Sequence, residues 1–446
     1  MKDFEKSVPG MDDRPDSLYA TGEVVNIGEN FKEFASISNH FQGKWTAFRG
    51  AQRDNMVQSK VPLRSKFSEN GPDILWSMEL GEGHAAPAIY NGQVYLLDYM
   101  EKEKADALRC FDLITGEEIW RRSYKVHIKR NHGMSRTVPA VNEQYVVTIG
   151  PKAQVMCCDR LSGDFIWGID LVREYGAEIP FWYTGQCPLI VDNVAILASG
   201  GSKLILGVDC STGEILWETP NPNNWQMSHS SIMPMEYNGR KMFVYAAIGG
   251  ICGIAADGKN VGEILWETND FDPNVVAPSP LVLDDGKIFM TAGYGAGSAL
   301  FKLYENNGKY TVETLQKFKP KKGLASEQQT GIFLDKHIFM ILPKDAGRHR
   351  NQFVCAHQND VQNILWTSGK DERFGLGPYI LADGKFFLLK DNGTLVIANA
   401  SVNGFEKLDE YQVIDGQDAW GPIAIADGKL LMRDSKTLVC LDMERK

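Results

Sequence analysis

Nine residues whose side chains bind ligands or titrate are spread along the chain rather than gathered in one motif. They are His84, Arg136, Tyr183, His229, Glu327, Gln328, Arg373, Asp418 and Trp420. Guanidinium and imidazole groups bind anions, carboxylates and amides bind hydroxyls, and aromatic rings offer apolar faces. If the fold brings these side chains together, they suit a polar or anionic ligand such as a sugar.

The same residues make a poor metal site. His84 and His229 are far apart in the sequence, and no His-x-x-x-His or carboxylate cluster accompanies them. A calcium ion needs about six oxygen ligands, and Glu327 and Asp418 are the nearest carboxylates, with Trp420 beside them. We therefore predict no metal ligands. No Cys-x-x-Cys-His sequence is present, which excludes a covalently attached c-type haem.

A repeat of about 45 to 50 residues must position this set. Its clearest marks are the tryptophans Trp76, Trp120, Trp167, Trp217, Trp266 and Trp366. Several follow an Asp-x-x-Thr-Gly turn, as in Asp112 to Gly116, and upstream lie Asn-Gly and Asp-Gly hairpin signals such as Asn91-Gly92. Each repeat has room for four short strands, which is one blade of a β-propeller.

Counting the turn signatures predicts an all-β, eight-bladed propeller with four-stranded antiparallel blades. The eighth blade ends one strand short at Lys446, so residues 74–80 should complete it and close the ring without an open edge. Residues 1–40 are predicted to be a flexible arm and residues 41–446 the single propeller domain. The six tryptophans are interpreted as structural docking residues, and the nine polar residues should meet at the mouth of the axial channel.

The cysteines are interpreted as core residues. Cys110, Cys157, Cys355 and Cys440 occupy the same repeat position, where cysteine acts as a small hydrophobe. Equivalent positions on separate blades are too far apart to bridge. A vicinal disulfide between Cys157 and Cys158 is therefore not expected.

Composition narrows the partners. The formal net charge is −10, without the basic face that nucleic-acid binding requires. No apolar stretch approaches the length of a membrane span. We expect a monomer that binds neither nucleic acid nor a bilayer through its own segments.

The tryptophan repeat, together with the opening Trp45-Thr-Ala-Phe48-Arg49-Gly50, resembles the quinoprotein superfamily of pyrroloquinoline-quinone (PQQ)-like propellers. That resemblance covers residues from about 45 to 446. It implies one of two roles. One branch holds PQQ and calcium over the axis and oxidises alcohols or sugars. The other, which includes the propeller lipoprotein of outer-membrane protein assembly, is non-catalytic and binds proteins through loops on one face.

The near-minimal repeats leave few loops to enclose a quinone, so the non-catalytic branch is favoured. The expectation is an exported propeller of the periplasm or cell envelope, rather than the cytoplasm, that binds a protein or saccharide at its channel mouth without a cofactor. Residues 1–40 would tether it to an anchor that is not in this sequence. The alternatives are a PQQ- and calcium-dependent dehydrogenase, or a hydrolase or lyase using His84, Arg136, His229 and Glu327.

Overall fold

The computed structural model describes residues 24–36, 41–57, 61–129 and 133–445. Regular structure in these residues is almost entirely β-strand, with one short α-helix, Leu171–Tyr175, and two 3-10 helices, Pro320–Lys322 and Gly347–His349. Among the described residues, no helix has the length and apolar character needed to cross a bilayer.

The strands run in chain order as follows: β1 Asn30–Glu33, β2 Lys44–Trp45, β3 Asp73–Glu79, β4 Ala88–Tyr90, β5 Gln93–Met100, β6 Ala105–Asp112, β7 Glu118–Lys125, β8 Ala140–Val141, β9 Tyr145–Ile149, β10 Gln154–Asp159, β11 Phe165–Asp170, β12 Leu189–Val191, β13 Val194–Ala198, β14 Lys203–Asp209, β15 Ile215–Pro220, β16 Met233–Tyr237, β17 Arg240–Ala247, β18 Gly250–Ala255, β19 Ile264–Thr268, β20 Leu281–Val282, β21 Lys287–Ala292, β22 Gly297–Asn306, β23 Lys309–Phe318, β24 Ile332–Leu334, β25 His337–Ile341, β26 Phe353–His357, β27 Ile364–Thr367, β28 Tyr379–Ala382, β29 Lys385–Leu389, β30 Thr394–Asn399, β31 Lys407–Gln412, β32 Ala424–Ala426, β33 Lys429–Arg433 and β34 Thr437–Asp442.

These strands form the eight antiparallel blades that the repeat predicts. Blade one is β4 to β7, and blades two to seven follow in groups of four up to β31. Blade eight combines β32, β33 and β34 with β3 from the N-terminal part of the chain. The first strand of each blade lies innermost, so the residues just before it face one end of the axial channel.

The ring closes as the sequence predicts. β3 pairs antiparallel with β34 along its whole length, with Asp73 opposite Asp442 and Glu79 opposite Thr437. Blade eight thereby gains its fourth strand from a segment that precedes blade one. The prediction that an N-terminal strand closes the ring is confirmed, and that strand spans Asp73–Glu79.

The repeated turn follows from local chemistry. In blade one the Asp112 carboxylate accepts hydrogen bonds from the backbone N–H groups of Ile114 and Thr115, at 2.8 and 2.9 Å. Gly116 then takes φ +70°, which glycine adopts without a Cβ penalty. Asp209 repeats the arrangement in blade three with Ser211 and Thr212.

The repeat tryptophans lie at the boundaries between blades. The indole N–H of Trp76 donates to the Leu113 carbonyl of blade one at 3.0 Å. Trp167 and Trp366 make the same bond to the next blade, at 2.9 and 3.0 Å. The rings of Trp120 and Trp217 cover Gly163 and Gly262 of the following blade. Trp266 differs, because its N–H points at the Met242 sulfur of its own blade, 3.3 Å away.

The cysteines are buried free thiols. Cys157 Sγ donates to the Cys210 carbonyl of the next blade at 3.4 Å. Cys157 and Cys158 are both buried free thiols with no disulfide between them, as expected of small hydrophobic core residues.

The segment before the ring is partly a strand of the fold. β1 pairs with β7 as an additional outer strand of blade one, with Asn30 opposite Ser123. On the inner side of the same blade, β2 pairs with β4. The rest of the predicted arm, residues 1–23 and 37–40, lies outside the described residues, so its predicted flexibility stays a prediction.

Candidate functional site

A cavity of about 190 Å³ lies at the axial end of the propeller where the innermost strands begin. We call it the axial cup. Every blade contributes to its wall. The lining residues are Phe48, His84, Arg136, Trp182, Gly185, His229, Val275, Ala277, Tyr294, Glu327, Gln328, Gln329, Lys344, Leu376, Trp420 and Pro422.

The floor of the cup is a segment of the chain itself. Residues 43–57 run into the axial channel, and Phe48 faces the cup. The Arg49 guanidinium donates to the carbonyls of Thr330 and Gly331 in blade six, both at 2.7 Å, and to the Arg53 carbonyl at 2.9 Å. We call this segment the axial plug.

A second arginine ties the plug to the opposite side of the ring. Arg53 donates to the Ile232 carbonyl of blade four at 2.7 Å and to the Pro188 carbonyl of blade three. Both arginines are fully buried, which lowers the pKa of each to about 10, so both remain cations at neutral pH. Their charges are compensated by backbone carbonyls that converge on the axis. The cup is therefore closed beneath.

One wall of the cup is a column of stacked rings. His229 and Tyr294 stack against Trp182, with centroid distances of 6.0 and 5.6 Å and interplanar angles below 30°. The Lys344 ammonium lies 5.8 Å from the Tyr294 centroid and 3.6 Å from the Glu327 carboxylate. This column connects blades three to six and ends in an exposed cation.

A shorter column forms the facing wall. His84 stacks on Trp420 at 5.3 Å, and the Trp420 N–H donates to the Asp391 carboxylate at 2.9 Å. The Gln329 amide donates to the Trp420 carbonyl at 3.3 Å. Asp391 also accepts from the Leu376 N–H at 2.8 Å, so the ring of Trp420 is fixed from three sides.

Burial shifts the pKa values of three side chains in the cup. Burial lowers the pKa of Arg136 to about 10, which leaves it charged at neutral pH. Burial raises the pKa of Glu327, with Lys344 opposing that shift. Burial and the nearby Glu327 charge raise the pKa of Tyr294 to about 12. At neutral pH the cup therefore presents the charged guanidinium of Arg136 and the neutral phenol of Tyr294.

The structure brings six of the nine predicted site residues into the cup. They are His84, Arg136, His229, Glu327, Gln328 and Trp420. Their shared property is that each lies four or five residues before an innermost strand.

The other three point elsewhere. Tyr183 is buried, and its hydroxyl bonds the backbone N–H and carbonyl of Lys129. Arg373 reaches outward to the carbonyls of Arg350 and Lys370. Asp418 is half-buried at a left-handed turn of φ +55° and does not line the cup.

Sequence reasoning missed several cup residues, of which Phe48, Tyr294 and Lys344 matter most. Tyr294 belongs to Gly293-Tyr294-Gly295, which reads as an ordinary hairpin turn and does form a turn. The signal was an aromatic residue between two glycines, with a left-handed φ of +55° that projects the ring over the axis.

The donor set does not fit a calcium–quinone site. Calcium takes six to eight oxygen ligands, several of them carboxylates, and Glu327 is the one carboxylate among the described residues that line the cup. Its neighbours Lys344 and Arg136 are cations that would repel a calcium ion. Among the described residues, no three His, Cys, Asp or Glu side chains are grouped as metal ligands.

We expect His229 to make the fold sensitive to acid. Burial and the Arg136 charge lower its pKa from 6.5 to about 3. Below pH 6.5 the imidazole of His229 binds a proton in the unfolded chain but stays neutral in the folded chain. The free energy of unfolding therefore falls as the pH falls towards 3. Between pH 6.5 and 5 this should cost about 1–2 kcal/mol.

Thermal unfolding of the His229→Gln variant, compared with the native chain across this pH range, tests that expectation. The variant should lose less stability on acidification than the native chain. The exposed His127→Gln is the control and should track the native chain. Parallel pH curves for native and His229→Gln proteins would contradict the prediction.

The fold and cup together define a class: eight-bladed β-propellers with a cavity at one end of the axis. The family model of outer membrane protein assembly factor BamB, a PQQ-like repeat family, matches residues 103–329, just over half of the chain. The chain therefore belongs to the BamB-like PQQ-repeat propeller family.

Solved structures confirm the fold. BamB from Moraxella catarrhalis is 12% identical, covering 83% of this chain and 99% of that chain, with a TM-score of 0.52. A europium-containing methanol dehydrogenase is 10% identical, covering 90% and 89%, with a TM-score of 0.58. The quinohemoprotein alcohol dehydrogenase from Comamonas testosteroni is 11% identical, covering 90% and 81%, with a TM-score of 0.57. No curated protein sequence matches the chain significantly.

Proposed function

We propose that this protein is a non-catalytic binding propeller of the cell envelope that recognises a protein or saccharide partner at the axial cup and the loops around it. The observation that carries the proposal is the cup itself: a cavity whose floor is held by the hydrogen bonds of buried Arg49 and whose walls include two columns of stacked rings. Such a preorganised, amphipathic cavity favours binding over bond-breaking chemistry.

The envelope location is supported by family membership, since the matching model describes an outer membrane assembly factor. A binding role without a cofactor is supported by the donor set, because the Arg136 and Lys344 cations would oppose a calcium ion beside Glu327. The dehydrogenase alternative shares the same fold, so an experiment must distinguish it from the non-catalytic role.

Titration of the full chain with PQQ and calcium, followed by quinone absorbance and thermal shift, separates the two roles. We expect no saturable binding and no rise in the unfolding temperature. Saturable micromolar binding would overturn the non-catalytic proposal and justify a screen of alcohol and sugar oxidation.

Binding at the cup is tested by Tyr294→Ala. In glycan arrays and in pull-downs from envelope extracts, the variant should retain about tenfold less ligand than the native chain, because an aromatic ring that lines the cup is removed. Tyr304→Ala is the matched control, because Tyr304 lies on the same blade and is equally exposed, at 45% against 43%. Equal retention by both variants would place the binding site away from the cup.

A further inference from the structure

The mouth-side end of the last strand of blade five and the loops that follow it in blades five and six carry a concentration of exposed cations. Six of them form what we call the basic crescent: Lys317, Lys319, Lys321, Lys344, Arg348 and Arg350. The chain as a whole has a net charge of −10, so this patch contrasts with the rest of the protein. Concentrated charge of one sign attracts a ligand of the other sign.

The crescent is one surface because its loops touch. The Lys321 side chain packs against Gly347, which joins the end of blade five to the turn between β25 and β26. Arg348 donates to the His349 ring at 2.9 Å. Lys319 donates to the Gly295 carbonyl at 3.1 Å, beside Tyr294 of the cup.

A second cavity lies between the axial cup and the part of the crescent at Lys317 and Lys319, and we call it the groove. The groove has a volume of about 440 Å³ and is lined by Lys317, Lys319 and the turn at Gly293–Ala296. It shares Val275 and Tyr294 with the cup. A ligand that extends from Arg136 in the cup past Tyr294 would therefore reach Lys317 and Lys319 of the crescent.

Resting on the proposed function, we infer that the groove binds an acidic saccharide chain, with a terminal residue in the axial cup and further carboxylates along the basic crescent. The planar Arg136 guanidinium matches a carboxylate in two parallel hydrogen bonds. The amides of Gln328 and Gln329 and the Glu327 carboxylate suit ring hydroxyls.

A saccharide fits the cup better than an acidic peptide does. An apolar peptide side chain in the cup would leave these polar groups desolvated without partners, at about 1–3 kcal/mol each. Peptides that add to a sheet need a free strand edge. Here the ends of the innermost strands face the cup with side chains, and the plug pairs with blade seven through Met56 and Leu381.

The test is calorimetric titration of the full chain with a short oligogalacturonate, its neutral methyl ester and poly-glutamate of matched charge. We expect saturable binding of oligogalacturonate that weakens at high ionic strength, and weaker binding of the other two. The Lys319→Glu/Lys344→Glu/Arg348→Glu variant should bind about tenfold more weakly at low ionic strength.

The matched control reverses the same charge at the opposite ends of the strands, as Lys241→Glu/Lys259→Glu/Lys309→Glu, where all three lysines are exposed. It should bind as the native chain does. Because both variants change exposed residues, equal unfolding temperatures confirm that each is folded. Arg136→Gln, assayed in the same way, tests the axial end and should also weaken binding about tenfold.

Equal weakening by the control, or no saturable binding of oligogalacturonate, would overturn the inference. Tighter binding of poly-glutamate would replace the saccharide with an acidic protein segment. If a neutral glycan or a peptide binds and Tyr294→Ala abolishes it, the proposed function stands while the acidic-saccharide inference fails.

Discussion

Replacement of Arg49 by methionine is expected to lower the free energy of unfolding by about 3–5 kcal/mol. The variant leaves the carbonyls of Arg53, Thr330 and Gly331 without their donor in a channel that water does not reach freely. The plug also contains left-handed residues, Arg49 at φ +66° and Asn55 at φ +62°, whose strain must be held by such contacts.

Denaturant and thermal unfolding measure this loss. Arg49→Lys keeps the charge but loses the forked geometry, so it should fall between the native chain and methionine. The exposed Arg173→Met, on the short helix, is the control and should change stability by less than about 0.5 kcal/mol. An Arg49→Met protein as stable as the control would show that the plug is not anchored by its arginines.

The second large effect is expected from Trp76→Ala, at about 3–5 kcal/mol. The Trp76 ring fills the boundary between blades eight and one, where a Cβ on Gly116 would lie 2.7 Å from it. Its N–H also bonds Leu113. The ring closes at this boundary. If β3 detaches, the other three strands of blade eight have no direct chain connection to blade one.

Thermal unfolding and native-state proteolysis check this expectation. The variant should have a lower unfolding temperature than the native protein. It should also be cleaved by protease near β3 and β34 under conditions where the native protein resists cleavage. Ile74→Ala, in the same strand and 50% exposed, is the control. The structural docking role assigned to the six tryptophans would fail at this boundary if Trp76→Ala and Ile74→Ala behaved alike.

The features predictable from the sequence are those that arise within one repeat. Asp112 and Gly116 form their turn from residues a few positions apart, so the pattern is visible in the sequence. Ring closure by residues 74–80 was predictable too, because the last repeat lacks a strand that the chain supplies elsewhere. The positions opening the innermost strands gave six of the cup residues by the same periodicity.

The missed features depend on long-range or orientational detail. Arg49 donates a hydrogen bond to the Thr330 carbonyl, which lies 281 residues further along the chain, and the repeat does not predict that contact. Tyr183 and Tyr294 both have left-handed backbones near the axis, yet one ring turns into the core and the other over the cup. Which way a turn aims its side chain depends on contacts that the repeat does not encode.

The join between β3 and β34 also sets the order in which the molecule can be completed. The strand that finishes blade eight is synthesised well before its partner, because β3 precedes blade one in the chain and β34 follows blade seven. β3 must therefore wait, unpaired, while seven blades are synthesised, because its hydrogen-bonding edge has no native partner until Thr437–Asp442 arrives. A nascent chain exposes this edge throughout, and such edges attract other chains. Chaperone binding to the β3 segment should accordingly matter most until Thr437–Asp442 has been synthesised.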